Sequence, residues 1–222
     1  MNFFNLLKSL DELLYEAMSW LIFYPVTLWR TLVHPLRMMD YSDVEQGDAA
    51  DQQYTDTLSP PLFLLLTLII GHAIELSLVG QAVEVGRKVG LSALISDNSS
   101  LILLRTATFS LFPLVLAARL VRAQGKTLDR DSLRGPFYAQ CYLAAPFALM
   151  SGVSENLIRL AHPWSEIAGV FLYLFALLWF GSLQTLWFRQ HLGSGAVRAF
   201  GHASRAMVES LIAVAFLARL FG

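Results

Sequence analysis

Five ionisable side chains stand inside otherwise apolar stretches of this 222-residue chain: His72, Glu75, Arg105, Arg205 and Glu209. An ionisable group in hydrocarbon is costly and turns inward to find a partner, so chemistry would sit at these positions. His72 and Glu75 are spaced to share one face of a helix, as are Arg205 and Glu209. At ~1.5 Å per residue, Glu75 lies ~22 Å beyond Pro60, while Arg105 lies ~6 Å inside the far end of its own stretch, so the two are prospective partners. Two kinds of chemistry are open. A proton or ion relay would run through His72, Glu75 and Glu209. Alternatively, Glu75–Arg105 and Arg205–Glu209 are neutralised ion pairs that fix which helices touch. Each acid has a base within reach, which favours the pairs, because a relay usually leaves an acid unpaired.

Nothing else in the chain carries a chemical signature. The P-loop, H-E-x-x-H, G-x-S-x-G and C-x-x-C patterns are absent. Cys141 is the only cysteine, so neither an intrachain disulfide nor a thiolate metal site is expected. Six acids between Asp40 and Asp56 lack calcium-loop spacing, because Asp48 and Asp51 follow Gly47 rather than precede it. Asn98-Ser99-Ser100 matches an N-glycosylation acceptor, which matters only in a secretory compartment. Nucleic-acid binding needs a basic patch on a soluble face, and none is evident. No catalytic residue, metal or cofactor is expected.

The elements that must position the buried charges are membrane spans. Hydrophobic residues make up 55% of the chain and charged residues 15%, below the ~25% of soluble domains. Five apolar blocks, 60–83, 101–121, 137–158, 164–188 and 196–221, each approach the ~20 residues that cross a bilayer. The expectation is an all-α, polytopic helical bundle with five transmembrane helices over 60–222. The third block is the weakest span, because it holds Gln140, Ser151, Ser154 and Asn156. Pro113 and Pro146 predict kinks.

Residues 1–59 read as a cytoplasmic segment in three parts. Leu6, Leu10, Leu14, Met18 and Leu21 recur at helical spacing and predict an amphipathic helix over 2–23. Pro25 is placed to open a short elbow helix over 25–34 that Pro35 closes. Trp29 and Tyr24 suit the headgroup level. Residues 40–59 read as a solvated acidic linker. Lys8 is answered by Asp11, Glu12 and Glu16, so no cationic leader is expected. With the N-terminus inside and five spans, ten Lys/Arg fall on the inner side and four on the outer. That bias predicts a cytoplasmic N-terminus and a C-terminus on the outer or lumenal side.

This order of parts resembles the Yip-domain family of five-span membrane proteins, named for interaction with Ypt/Rab GTPases. Pro25, Trp29 and Pro35 match the short P-x-x-x-[FW]-x-x-x-x-x-P elbow of its prokaryotic members. Gly135 to Pro146 fits the aromatic, Ala-Pro third span. Leu178-Trp179, and Gly193 with Arg198 and Ala199, fit the fourth span and the approach to the fifth. The eukaryotic D-L-Y-G-P signature is absent, so GTPase binding is not implied. The resemblance implies a non-enzymatic role in membrane organisation, or as a scaffold or assembly partner of other membrane proteins. The implied partners are membrane lipids and other membrane proteins or further copies of the chain. The basic loop Arg119–Arg134 is placed to touch anionic headgroups. The rival expectation is a small permease, transporter or channel subunit that uses the buried charges.

Overall fold

The computed structural model describes residues 3–49, 52–79, 98–160 and 162–221. Among them are seven helices: α1 (Phe3–Val33), α2 (Pro35–Glu45), α3 (Pro60–Val79), α4 (Asn98–Ala123), α5 (Arg130–Arg159), α6 (Pro163–Leu192) and α7 (Ala196–Phe221). The all-α expectation holds for these residues. Among the described residues three helices are long and apolar enough to cross a membrane, over Pro60–Leu78, Pro163–Leu192 and Ala196–Leu217. That is fewer than the five expected. Helix α5 has the length but not the apolarity, and the side chains of 98–105 in α4 lie outside the described residues.

The reason for α5 is its position. It packs against α2, α3, α4 and α6. Every residue from Ala139 to Ala148 is buried, so all sides of the helix face protein. Leu143 and Phe147 join one core with Leu116, Leu120, Phe180 and Trp187. Tyr142 and Ala145 join a second core with Met38, Leu58, Phe63 and Leu64. Over these residues the helix has no outward surface to make apolar, and two polar side chains of α5, Gln140 and Ser154, pair inside. Gln140 Nε2 donates to Gln184 Oε1 at 3.0 Å, and Gln184 Nε2 donates back to Gln140 Oε1 at 2.5 Å. Ser154 Oγ donates to the Gly169 carbonyl at 2.7 Å. Gly169 permits that approach, since a Cβ there would lie 2.8 Å from the Ser154 carbonyl oxygen. Small residues at such crossings let backbones come close.

The N-terminal segment departs from the sequence expectation in two ways. First, α1 runs straight through Pro25, so the separate helices 2–23 and 25–34 are one. The proline removes one i→i−4 bond. Thr27 and Thr31 lie beyond it, bonding back to the carbonyls of Phe23 and Thr27 at 2.7 Å each. The bend falls instead at His34, with φ −132° and ψ 59°, because the residue before Pro35 is pushed out of the helical region and Pro35 opens α2. Trp29 therefore sits on α1, largely exposed.

Second, residues 40–59 are no free linker. Asp40–Glu45 belong to α2, and residues 54–58 fold onto the bundle. Leu58 N–H donates to Thr27 Oγ1 at 3.0 Å, and Tyr142 Oη donates to the Leu58 carbonyl at 2.8 Å. Arg30 pairs with Asp56 at 2.6 Å, and Tyr41 Oη donates to the same carboxylate at 2.8 Å. The Arg30 hydrogen bond holds the Asp56 carboxyl below the usual carboxylate range. Tyr54 adopts a left-handed φ of 55°, an unfavoured conformation for a bulky residue. Its N–H is held by the Glu45 carboxylate, and burial pushes its phenol up to about 12.

The enclosure of α5 makes the Gln140–Gln184 pair a test of packing. Gln140→Leu leaves the Gln184 amide buried without its partner and lowers stability by about 1–3 kcal/mol. The Gln140→Leu/Gln184→Leu double variant recovers most of that loss in thermal unfolding of the detergent-solubilised protein. A double variant as unstable as the single one would show that the amides are not acting as a pair.

Candidate functional site: an ion-paired cavity and an uncovered helix face

His72 and Glu75 lie one turn apart near the C-terminal end of α3, each 4% exposed. The Glu75 carboxylate is 3.6 Å from His72 Nδ1 and 3.2 Å from Arg159 Nη1, at the end of α5. Arg159 also holds Glu155, one turn back on its own helix. The guanidinium thus bridges two carboxylates and ties α3 to α5. His72, Glu75 and Glu155 border a cavity of about 450 Å³ walled by α3, α4, α5 and α6. Leu68, Phe109 and Ile158 form apolar parts of the wall, while Ser151, Asn156 and Tyr173 supply polar ones. The buried Ser151 hydroxyl has no hydrogen-bond partner.

The register of the helices brings Arg159 to Glu75. Tyr142 meets Leu58 and Phe63, so α5 begins about 12 residues, or ~18 Å, before the start of α3. Counting on from that level places Arg159 beside Glu75. Arg105 lies on α4, but its side chain, and with it the expected Glu75–Arg105 pair, lies outside the described residues.

The second pair forms as expected, with an added member. Arg205 Nε donates to Glu209 Oε1 at 2.9 Å along α7, and Arg119 Nη1 of α4 approaches the same oxygen at 3.6 Å. Arg205 is mostly exposed, whereas Arg119 is mostly covered, so Arg119 is the link between helices. Glu209 does not border the His72–Glu75 cavity. The relay set His72, Glu75 and Glu209 is therefore divided between two places. By sequence, Arg119 opens the expected basic loop Arg119–Arg134 and Arg159 falls just past the block 137–158, so neither is expected as a partner of these acids. The available signals were Glu155 four residues before Arg159, and the small pair Ala117-Ala118 before Arg119. Among the described residues, no three His, Cys, Asp or Glu side chains converge as a metal site would require.

The other feature is α1. Its inner stripe of Trp20, Phe23, Tyr24, Thr27, Leu28 and Thr31 packs on the bundle. Tyr24 Oη donates to Thr67 Oγ1 of α3 at 3.2 Å. Its outer stripe of Leu14, Met18, Leu21, Ile22, Val26, Trp29 and Val33 is exposed along the same helix. The elbow triplet is thus distributed: Pro25 and Trp29 on this outer face, and Pro35 at the bend into α2.

No family model, curated protein or solved structure matches the chain.

The bridging role of Arg159 has a measurable signature. Arg159→Gln and Glu75→Gln each lower the midpoint of thermal unfolding, and the double variant loses less than the sum, with a coupling of about 0.5–3 kcal/mol. Strictly additive losses would show that this pair does not join α3 to α5.

Proposed function

We propose that the chain is a non-enzymatic, five-span integral membrane protein that acts as a scaffold or assembly partner for other membrane proteins. In this reading α3 to α7 are the spans, the N-terminus is cytoplasmic and the C-terminus is on the outer or lumenal side. The ten-to-four Lys/Arg bias supports that orientation. The family resemblance points to the same role. Helix α5 counts as a span despite its polarity because its neighbours, rather than lipid, surround it.

The observation that carries the proposal is the outer stripe of α1. One face of the helix is fixed to the bundle, while Leu14, Met18, Leu21, Ile22 and Trp29 remain uncovered on the other. Apolar side chains at this spacing dock against a helix of a partner. The ion pairs Glu75–Arg159 and Arg119–Glu209 support it indirectly, since each joins two helices and gives a rigid base for the stripe. Replacing Leu14, Met18 and Leu21 together by Ser is expected to leave the bundle inserted with unchanged thermal stability. The same variant is expected to lose the membrane proteins that co-purify with the wild-type chain from mild detergent. An unchanged set of partners would sink the proposal.

A second reading rests on the cavity beside Glu75. Its polar wall, with the unpartnered Ser151 hydroxyl, suits passage of a small polar solute. In that case Glu75→Gln in reconstituted vesicles abolishes a solute or proton flux that the wild-type protein sustains. Equal flux with and without the protein would exclude it.

A further inference from the structure

A second cavity, of about 880 Å³, lies between α4 and α5 near the end of the bundle where α5 begins. We infer that it binds an anionic phospholipid, with the phosphate held by Arg130 and Arg134 and an acyl chain lying along Leu111, Leu114 and Phe137. The cleft is amphipathic along its length. Arg130 and Arg134 stand one turn apart on the first turns of α5, so both project from one face at the mouth. Leu111, Leu114, Leu133 and Phe137 line the interior. Leu114 is 42% exposed, which leaves the floor open sideways to a lipid chain.

The cationic mouth is a built feature. Asp129 caps α5 by accepting from Ser132 N–H at 2.8 Å, and Ser132 Oγ accepts from Asp129 N–H at 3.1 Å. That box holds the first turn in shape where it would otherwise fray. The Arg134 guanidinium lies over the Tyr138 ring at 5.7 Å, which orients it and leaves its N–H fork available. Among the described residues neither arginine forms an ion pair with an acid side chain. A guanidinium fork matches phosphate oxygens in a bidentate way. Asp131 also lines the mouth and offsets one of the two positive charges. The balance therefore suits a singly charged headgroup, such as phosphatidylglycerol, over a polyphosphorylated one. Free phosphate would satisfy the arginines but leave the apolar floor unused.

The test uses the full chain in phosphatidylcholine nanodiscs, with phosphatidylglycerol as the probe and bound lipid read by native mass spectrometry. Phosphatidylglycerol is expected to be retained in preference to phosphatidylcholine, and inorganic phosphate at millimolar concentration is expected not to displace it. Arg130→Gln/Arg134→Gln should weaken retention about thirtyfold, the equivalent of about 1 kcal/mol for each basic side chain at an anionic headgroup. Lys126→Gln, in the adjoining link, should change it less than twofold. Both arginines are exposed, and an unchanged unfolding midpoint would show that the double variant is folded. Leu114→Trp, which fills the floor, should also reduce retention. Equal retention of the two lipids would overturn the assignment, as would a double variant that behaves like Lys126→Gln. Complete displacement by inorganic phosphate would reassign the site to the free ion and overturn the lipid.

Discussion

With Ala139 to Ala148 of α5 all buried, α2, α3, α4 and α6 take their positions from this helix, and α7 packs on α4 and α6. Helices α3, α4 and α6 pack around it, and α2 closes the end where it begins. Within that stretch an unpaired polar side chain would be costly, since a buried amide without a hydrogen bond loses its solvation. Its polarity is therefore an internal fastening. Gln140 grips Gln184 of α6, Ser154 grips the Gly169 carbonyl, and Tyr142 grips the backbone of Leu58.

The same constraint explains where the charges end up. With α5 beginning well ahead of α3, its last turn comes level with the buried end of α3, and Arg159 meets Glu75. The neighbouring cavity exists because four helices meet there around mixed polar and apolar walls. On the other side of the bundle, Arg119 reaches Glu209 and links α4 to α7. Each pair crosses between helices, so each constrains register as well as neutralising charge.

The N-terminal segment follows as a collar. Thr27 of α1, Leu58 of the connecting segment and Tyr142 of α5 form one chain of hydrogen bonds, and Arg30–Asp56 closes it near the surface. His191 at the end of α6 lies 3.9 Å from Asp43 of α2, and its backbone carbonyl accepts from Gln124 at 3.4 Å. The acidic residues of 40–59 thus serve partly as local anchors.

Local features of this protein were legible in the sequence because local physics sets them. The bounds of α6 and α7 follow from apolar runs and from Pro163 and Gly193 at their ends, and the Arg205–Glu209 pair follows from i,i+4 spacing on one helix. The helical class, and the fact that α3, α6 and α7 are long and apolar enough to cross a membrane, follow from apolar length alone. Tertiary structure decided the rest. Hydropathy measures suitability for lipid, so it does not register that the middle of α5 is surrounded by protein. Pro25 could not reveal that α1 continues through it, because neighbouring contacts stabilise the helix across the missing bond. The partnerships of Arg159 with Glu75 and of Arg119 with Glu209 depend on the offset between helices. That offset is a property of packed surfaces, which no single stretch of sequence contains.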